Sequence, residues 1–272
     1  MFDDQQSIIR IGISQFHSNL HELNTAFQET SLAFDMLPIS STTSTFQYYD
    51  CSYVPHKPIW CMQDEFLFRI EAGTTKEVKA LINSLFQWFL TLTDCTLGDA
   101  KMFCDDLATQ CRFIMKQYIN NIRVNLDSSS MRNVLTYIFS LNDLEIYYSQ
   151  FFININTFIK PYSVYAIDNI TEKIQIYIQR NYSKAITQDF IASLFYLNRS
   201  YLSTLFRKQT GEKFIDFLNH IRIEKAKEQL LHSNRKTYQI AKAVGYDNVK
   251  YFFRIFKKMT GMTPEQYRKD NL

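Results

Sequence analysis

The side chains best suited to chemistry fall in two stretches near the C-terminus: Arg199, Ser200, Ser203, Thr204 and Arg207, then Asn248, Val249, Lys250, Phe253, Arg254 and Lys257. Most are hydroxyls, an amide and long cations, whose chemistry is directed hydrogen bonding rather than bond making. Arg254 and Lys250 can donate to guanine O6 and N7. Ser200, Ser203 and Thr204 are short and reach a base edge or a phosphate only at close approach. Arg199, Arg207, Lys257 and Lys258 suit phosphate, a contact that positions a protein without specifying a sequence. Phe253 is an outward-facing aromatic, explained either by a thymine methyl or by packing against a neighbouring subdomain. Polar residues of this kind are more often a plain solvated face, so the case for a reading surface depends on what holds them.

What must hold them is a repeat. Tyr201-Leu-Ser-Thr-Leu-Phe-Arg-Lys-Gln-Thr-Gly211 and Tyr251-Phe-Phe-Arg-Ile-Phe-Lys-Lys-Met-Thr-Gly261 match at Tyr, Phe, Lys, Thr and Gly, fifty positions apart. Each follows a short Ile-Ala segment, Asp189 to Leu194 and Tyr238 to Val244. Self-similarity at a fixed period marks a duplicated supersecondary unit. Leu202, Leu205, Phe206 and Gln209, and in the second copy Phe252, Ile255, Phe256 and Met259, have the i, i+3, i+4, i+7 spacing of one helical face. Asn198 and Asp247 stand where N-caps belong, and Gly211 and Gly261 where a helix stops in the left-handed conformation. Each unit therefore predicts a short helix, a tight turn and a longer helix. Between them Lys213 to Leu231 predicts one long helix, roughly 28 Å at about 1.5 Å per residue. A turn of B-DNA is about 34 Å, so one chain can set two helices into neighbouring major grooves on the same side of a duplex.

At this point a family resemblance is specific. Residues from about 165 to 270 are similar to the DNA-binding domain of the AraC/XylS family of bacterial transcription regulators. The carriers are Ile191-Ala192, Tyr201-Leu202-Ser203, Leu205-Phe206-Arg207-Lys208, Thr210-Gly211, Arg222 with Ala226, Ile240-Ala241, Val244-Gly245-Tyr246, Tyr251-Phe252, Arg254, Phe256-Lys257-Lys258, Gly261 and Thr263 to Arg268. The likeness, greatest to the C-terminal part of YesN-type response regulators, implies seven helices and two helix-turn-helix subdomains joined by a rigid helix. It implies direct binding to double-stranded promoter DNA; RNA polymerase is expected as a further partner, and catalysis, a cofactor, a metal or a membrane is not expected. One departure stands out: Phe195-Tyr196-Leu197 occupies the first turn where the second has Gly245, which predicts a different turn conformation there.

Composition supports a division of labour. The chain has 272 residues, 46% apolar and 15% aromatic, and only six Gly and five Pro, a balance that favours helix. Residues 171–272 hold 19 Lys and Arg against 9 Asp and Glu, a net +10, which leaves −7 on residues 1–170. A basic C-terminal third beside an acidic remainder suits phosphate contact by one part only. Cys51, Cys61, Cys95, Cys104 and Cys111 are odd in number and show no CxxC spacing, as free thiols of a reducing cytoplasm do. The N-terminus lacks a basic, signal-like start. Ala80 to Leu92 is too short and too interrupted to span a bilayer. A soluble cytoplasmic protein is expected.

The fold expected is mainly α: a partial α/β segment at 1–60, a helical connector or dimerisation region at 61–163, and the DNA-binding domain at 164–272. Within that domain the first helix-turn-helix is expected at about 187–210, the linker helix at about 213–231 and the second helix-turn-helix at about 236–260. Residues 7–14 and 45–50 read as strands around a helix from Leu20 to Leu37. This pattern is similar to the closing part of a degenerate nucleotidyl-cyclase-like domain carried by larger regulators of the YesN group, without the signature loop. It predicts that the chain starts inside a domain, or pairs its open sheet with another chain. Helices are expected over 65–70, 76–92, from 98 through 119, 131–141, 144–159 and 164–182. Ser128 to Ser130, Gly73 to Thr75 and Thr187 are taken as caps.

Other clusters favour bland readings. His17, His21 and Glu22 have helical metal-ligand spacing but no third ligand on another element, so surface histidines are favoured. Cys104 and Cys111 share a helical face as core residues. The rival reading is a ligand- or nucleotide-sensing module, or an enzyme, in 1–160, with the basic domain as its output. An active cyclase would need the missing loop and metal carboxylates.

Overall fold

In the computed structural model, residues 11–41, 45–48, 58–119 and 134–271 are described, and the chain separates after Ala166 into two units. The first begins with β1 (Ile11–Ile13) and β2 (Thr45–Gln47), paired in parallel with Ile11 opposite Thr45 and Ile13 opposite Gln47. Parallel strands need a crossover, and α1 (Leu23–Asp35) lies between them in the chain. The helix expected from Leu20 begins instead as a 3-10 turn, Leu20–Glu22, because the Asn19 side chain accepts from the His21 amide and closes a tighter first turn. Ala33 and Phe34 are buried while Leu20, Leu23 and Leu32 are exposed, so the stripe is covered only in part. The strand expected over 7–14 is seen from Ile11; residues 1–10 lie outside the described part.

Four helices carry the core of this unit: α2 (Gln63–Ala72), α3 (Thr75–Thr91), α4 (Leu97–Lys116) and α5 (Leu141–Ile159). Thr74 with Glu77, and Thr96 with Asp99, form reciprocal capping boxes that satisfy first-turn amides. On α5, Leu144, Tyr148, Phe152, Ile155 and Ile159 recur every three or four residues and are all buried. That stripe outweighs the low helix propensity of an aromatic and β-branched run. Phe152 meets Phe66 of α2 edge-on at 4.9 Å and stacks on Tyr148 at 5.6 Å. Asn156 donates to the carbonyls of Arg69, Ile70 and Gly73 and so closes the end of α2.

The helix expected over 131–141 is corrected where it is described. Residues 134 and 135 are helical, but 136–139 are turn and irregular chain, with Ile138 buried. Helix resumes only at Leu141, because the Ser140 side chain accepts from the Asp143 amide. Its proposed cap, Ser128 to Ser130, lies outside the described residues.

The α/β segment is tied to these helices rather than standing apart. Lys101 of α4 pairs with Asp35 of α1 at 2.5 Å, and Ser31 donates to the Thr136 carbonyl at 2.9 Å. Burial pushes the Asp35 carboxyl up and the Lys101 ammonium down, and their mutual attraction opposes both shifts. His17 bonds Glu29 at 2.9 Å and Glu22 at 3.2 Å. The Glu29 hydrogen bond is the main reason its pKa is raised. A raised histidine pKa adds stability that is full below about 6.5, the ordinary value, and is lost as pH rises through the folded-state value. The melting temperature of the first unit is therefore expected to fall between pH 6 and pH 8. His17→Gln should flatten that dependence; an equally steep curve in the variant would exclude this pair as its source.

The second unit comprises α6 (Ile170–Asn181), α7 (Gln188–Leu194), α8 (Arg199–Thr210), α9 (Phe214–His232), α10 (Thr237–Ala243), α11 (Val249–Thr260) and α12 (Pro264–Asn271), seven helices among the described residues. The helix expected from 164 starts six residues later, since the Asn169 side chain accepts from the amides of Thr171 and Glu172 and sets the first turn there. Thr187 caps α7. Thr263 and Gln266 exchange hydrogen bonds at the start of α12.

Candidate nucleic-acid interface

The fifty-residue period of the sequence extends into geometry. Leu202 and Phe206 of α8, and Phe252 and Phe256 of α11, are completely buried. Phe206 meets Phe217 of α9 at 5.4 Å, and Phe256 meets Tyr267 of α12 at 5.6 Å, both edge-on. Both longer helices stop on a left-handed glycine, Gly211 at φ 82° and Gly261 at φ 82°. Just before those stops Thr210 donates to the Phe206 carbonyl at 2.7 Å and Thr260 to the Phe256 carbonyl at 2.8 Å. Each helix-turn-helix is thus clasped by the helix that follows it.

The two turns also close alike, which corrects the expectation for the first. In the second, the amides of Val244, Gly245 and Tyr246 donate to the carbonyls of Ile240, Lys242 and Ala241. In the first, those of Phe195, Tyr196 and Leu197 donate to Ile191, Ser193 and Ala192. Tyr196 takes φ 54° where Gly245 takes φ 95°, a left-handed conformation that costs a non-glycine residue roughly 1–2 kcal/mol. The second turn holds one more residue before its cap. That residue is Asp247, and the N-cap is Asn248, whose side chain accepts from the Tyr251 amide at 3.1 Å. Asp247, the N-cap expected, stands one position outside the helix.

The long helix α9 ties the halves together through two buried polar side chains. Arg222, 8% exposed, donates from Nε to the Tyr182 carbonyl and from Nη2 to the Lys184 carbonyl, both at 2.8 Å. Its guanidinium also lies 5.2 Å from the centre of the Tyr246 ring in the second turn. Burial draws its pKa down, against the pull of Tyr246, Asp247 and Tyr251. Asn219 accepts from the Tyr246 hydroxyl at 2.9 Å and donates to the Tyr251 hydroxyl at 3.4 Å. Arg268 of α12 satisfies carbonyls at the end of α9, those of Leu230 and Arg235. The sequence singled out Arg222 and Arg268 only as marks of resemblance; the carbonyls they satisfy lie about forty residues away and leave no local signal.

Arg199, Ser200, Ser203, Thr204 and Arg207 are all exposed on α8. They are not equally available. Arg199 pairs with Asp189 of α7 at 3.0 Å, and the Thr204 hydroxyl donates to the Ser200 carbonyl of its own helix. On α11, Lys250, Arg254 and Lys257 are exposed and Val249 is half-buried. Phe253 is half-buried, packed on the core of its own subdomain with its ring 5.9 Å from Phe252. The packing alternative points to a neighbouring subdomain; the contacts seen are with its own. Asn248 is exposed, but its side-chain oxygen is committed to the cap. The Arg254 guanidinium lies over the Tyr251 ring at 5.1 Å.

Two exposed polar helices, each presented by a preceding short helix and turn, define a tandem helix-turn-helix domain of the DNA-binding class. Residues 191–270 match the family described as a helix-turn-helix domain. The chain is 39% identical over 98 residues to the uncharacterized HTH-type transcriptional regulator YijO of Escherichia coli (strain K12), which covers 36% of this chain and 35% of that protein. Across 97% of this chain and 35% of the relative, it is 25% identical to the uncharacterized HTH-type transcriptional regulator YtdP of Bacillus subtilis (strain 168). It is 40% identical to the C-terminal domain of the two-component response regulator yesN from Fusobacterium nucleatum, covering 37% of this chain and 99% of that one, with a TM-score of 0.36. The chain spans about a third of the length of these two curated relatives. Its second unit thus carries a helix-turn-helix domain similar to those of AraC-type DNA-binding transcription regulators. Among the described residues no helix is long and apolar enough to cross a membrane.

Proposed function

We propose that the protein regulates transcription in the cytoplasm by setting α8 and α11 into adjacent major grooves of promoter DNA. The observation that carries this reading is the geometry shared by the two repeats, each with its polar face outward, joined by a helix whose Arg222 touches both halves. Lys250 and Arg254 read base edges; on α8, Ser200, Ser203 and Thr204 reach bases or phosphates at close approach, and Arg207 binds phosphate. Arg199 exchanges Asp189 for a phosphate, since an exposed ion pair contributes only about 0–1 kcal/mol. Lys257 binds phosphate, and Val249 and Phe253 line the surface. RNA polymerase is the partner through which binding alters transcription. Self-association through 1–163 is supported by the exposed apolar side chains Ile11, Phe16, Leu20 and Leu23.

Selection of bound duplexes from a random pool tests the reading. Arg254→Ala is expected to lose about 1–3 kcal/mol at one base pair and to relax preference there. Lys257→Ala should weaken all sequences alike and reduce the salt slope by about one. Unchanged affinity in the first variant, or a base-specific loss in the second, would contradict these roles.

A further inference from the structure

Arg254 is a long, flexible donor on an exposed helix face, yet its guanidinium lies 5.1 Å from the centre of the Tyr251 ring, one turn nearer the N-terminus of α11. That ring is itself anchored. Its hydroxyl accepts from Asn219 at 3.4 Å, and Asn219, 4% exposed on α9, is held in turn by the Tyr246 hydroxyl at 2.9 Å. The Tyr246 and Tyr251 rings lie 6.0 Å apart. A chain of contacts therefore runs from the buried junction of the two halves to an exposed cation of α11.

We propose that Tyr251 is a positioning residue, a plate fixed to the central helix that holds the Arg254 guanidinium towards the N-terminal end of α11. This rests on the reading of α11 as a recognition helix. The N-terminal residues of such a helix are the ones that contact base edges, and helical side chains lean towards the N-terminus. A cation over an aromatic face is attracted by the ring quadrupole. Holding a donor in its bound orientation before DNA arrives removes part of the ordering cost of binding. The repeat supplies an internal contrast. Tyr201 occupies the same position in α8, but it is 56% exposed and Thr204 stands where α11 has Arg254. Only the second helix carries a stacked arginine, so its reading is expected to be the stricter of the two.

The test uses the full chain and the duplex it selects from a random pool, with each base pair then substituted singly. Tyr251→Leu is expected to lower affinity about fivefold, the size of an exposed cation–π contact, and to flatten preference at the base pair where Arg254→Ala does. The double variant should bind no worse than Arg254→Ala alone, with the salt slope unaltered. Tyr251→Phe keeps the plate and loses the anchor, and should show a smaller loss at the same base pair. Tyr201→Leu should leave that base pair unaffected. Thermal unfolding of each variant separates these effects from loss of fold. A Tyr251→Leu protein that weakens every sequence alike, or multiplies the Arg254→Ala loss, overturns the proposal. So does an unaltered preference in Tyr251→Phe, for the anchor to Asn219. If Arg254→Ala itself changes no preference, the reading of α11 fails first; if only Tyr251→Leu is silent, the positioning role alone fails.

Discussion

Gly245→Ala is expected to lower the stability of the second unit by about 3–4 kcal/mol, from two sources. The residue sits at φ 95°, where a side chain costs roughly 1–2 kcal/mol. A Cβ there would also lie 2.7 Å from the Tyr182 carbonyl oxygen and 2.8 Å from an Arg222 nitrogen, and overpacking of this kind costs roughly 1–3 kcal/mol. Neither neighbour can retreat cheaply, because each is hydrogen-bonded to the other. Tyr196 makes the comparison sharp. The first turn accepts a tyrosine at φ 54°, with its ring 69% exposed. The left-handed conformation alone therefore does not demand glycine; the approach of the α6 end to the second turn does. Chemical unfolding of the full chain, followed through the transition of the second unit, measures the loss. A change below about 1 kcal/mol would mean that the two halves are not in contact at this point.

Arg222→Ala is expected to cost about 3 kcal/mol. The substitution removes two hydrogen bonds from a charged donor, each worth about 1.5–3 kcal/mol before water replaces them. It also removes a cation–π contact with Tyr246. Lys184 is exposed and Tyr182 half-buried, so water re-satisfies part of what is lost, which holds the figure below the sum. Arg222→Lys should recover less than half, since an ammonium is a single point and cannot bridge two carbonyls as the planar fork does. Loosening this junction should also broaden the range of spacings tolerated between the two half-sites, while base preference within each half-site stays. Full stability in Arg222→Ala would show that the linker helix is held by its apolar contacts alone.

Much of the second unit was legible because its determinants are local. The fifty-residue repeat, the Asn198 cap, the Thr263–Gln266 box and the two glycine stops each act within one helical turn, and all are present as expected. In the first unit the cap before α3 was readable for the same reason, whereas the Thr96 cap of α4, ahead of the expected start at 98, was not. The misjudged boundaries show the limit of that approach. Asp247 and Asn248 are both good caps by type, and only the length of the turn decides between them. Asn169 outcompetes an apolar stripe that runs on before it.

By itself, then, the sequence determined that two like helix-turn-helix units exist, where their longer helices lie, and that basic charge gathers in residues 171–272. Side-chain type and period are enough for that, since both act between near neighbours. Tertiary structure alone decided which polar groups on those helices are free. Thr204 and Asn248 are spent on backbone, Arg199 is engaged by Asp189, and Arg254 rests on Tyr251. It alone placed Arg222 between the halves and made Gly245 a point of contact. Those outcomes depend on partners such as Tyr182, forty residues from Arg222, and no window of the sequence weighs a contact whose two sides meet only once the helices have packed.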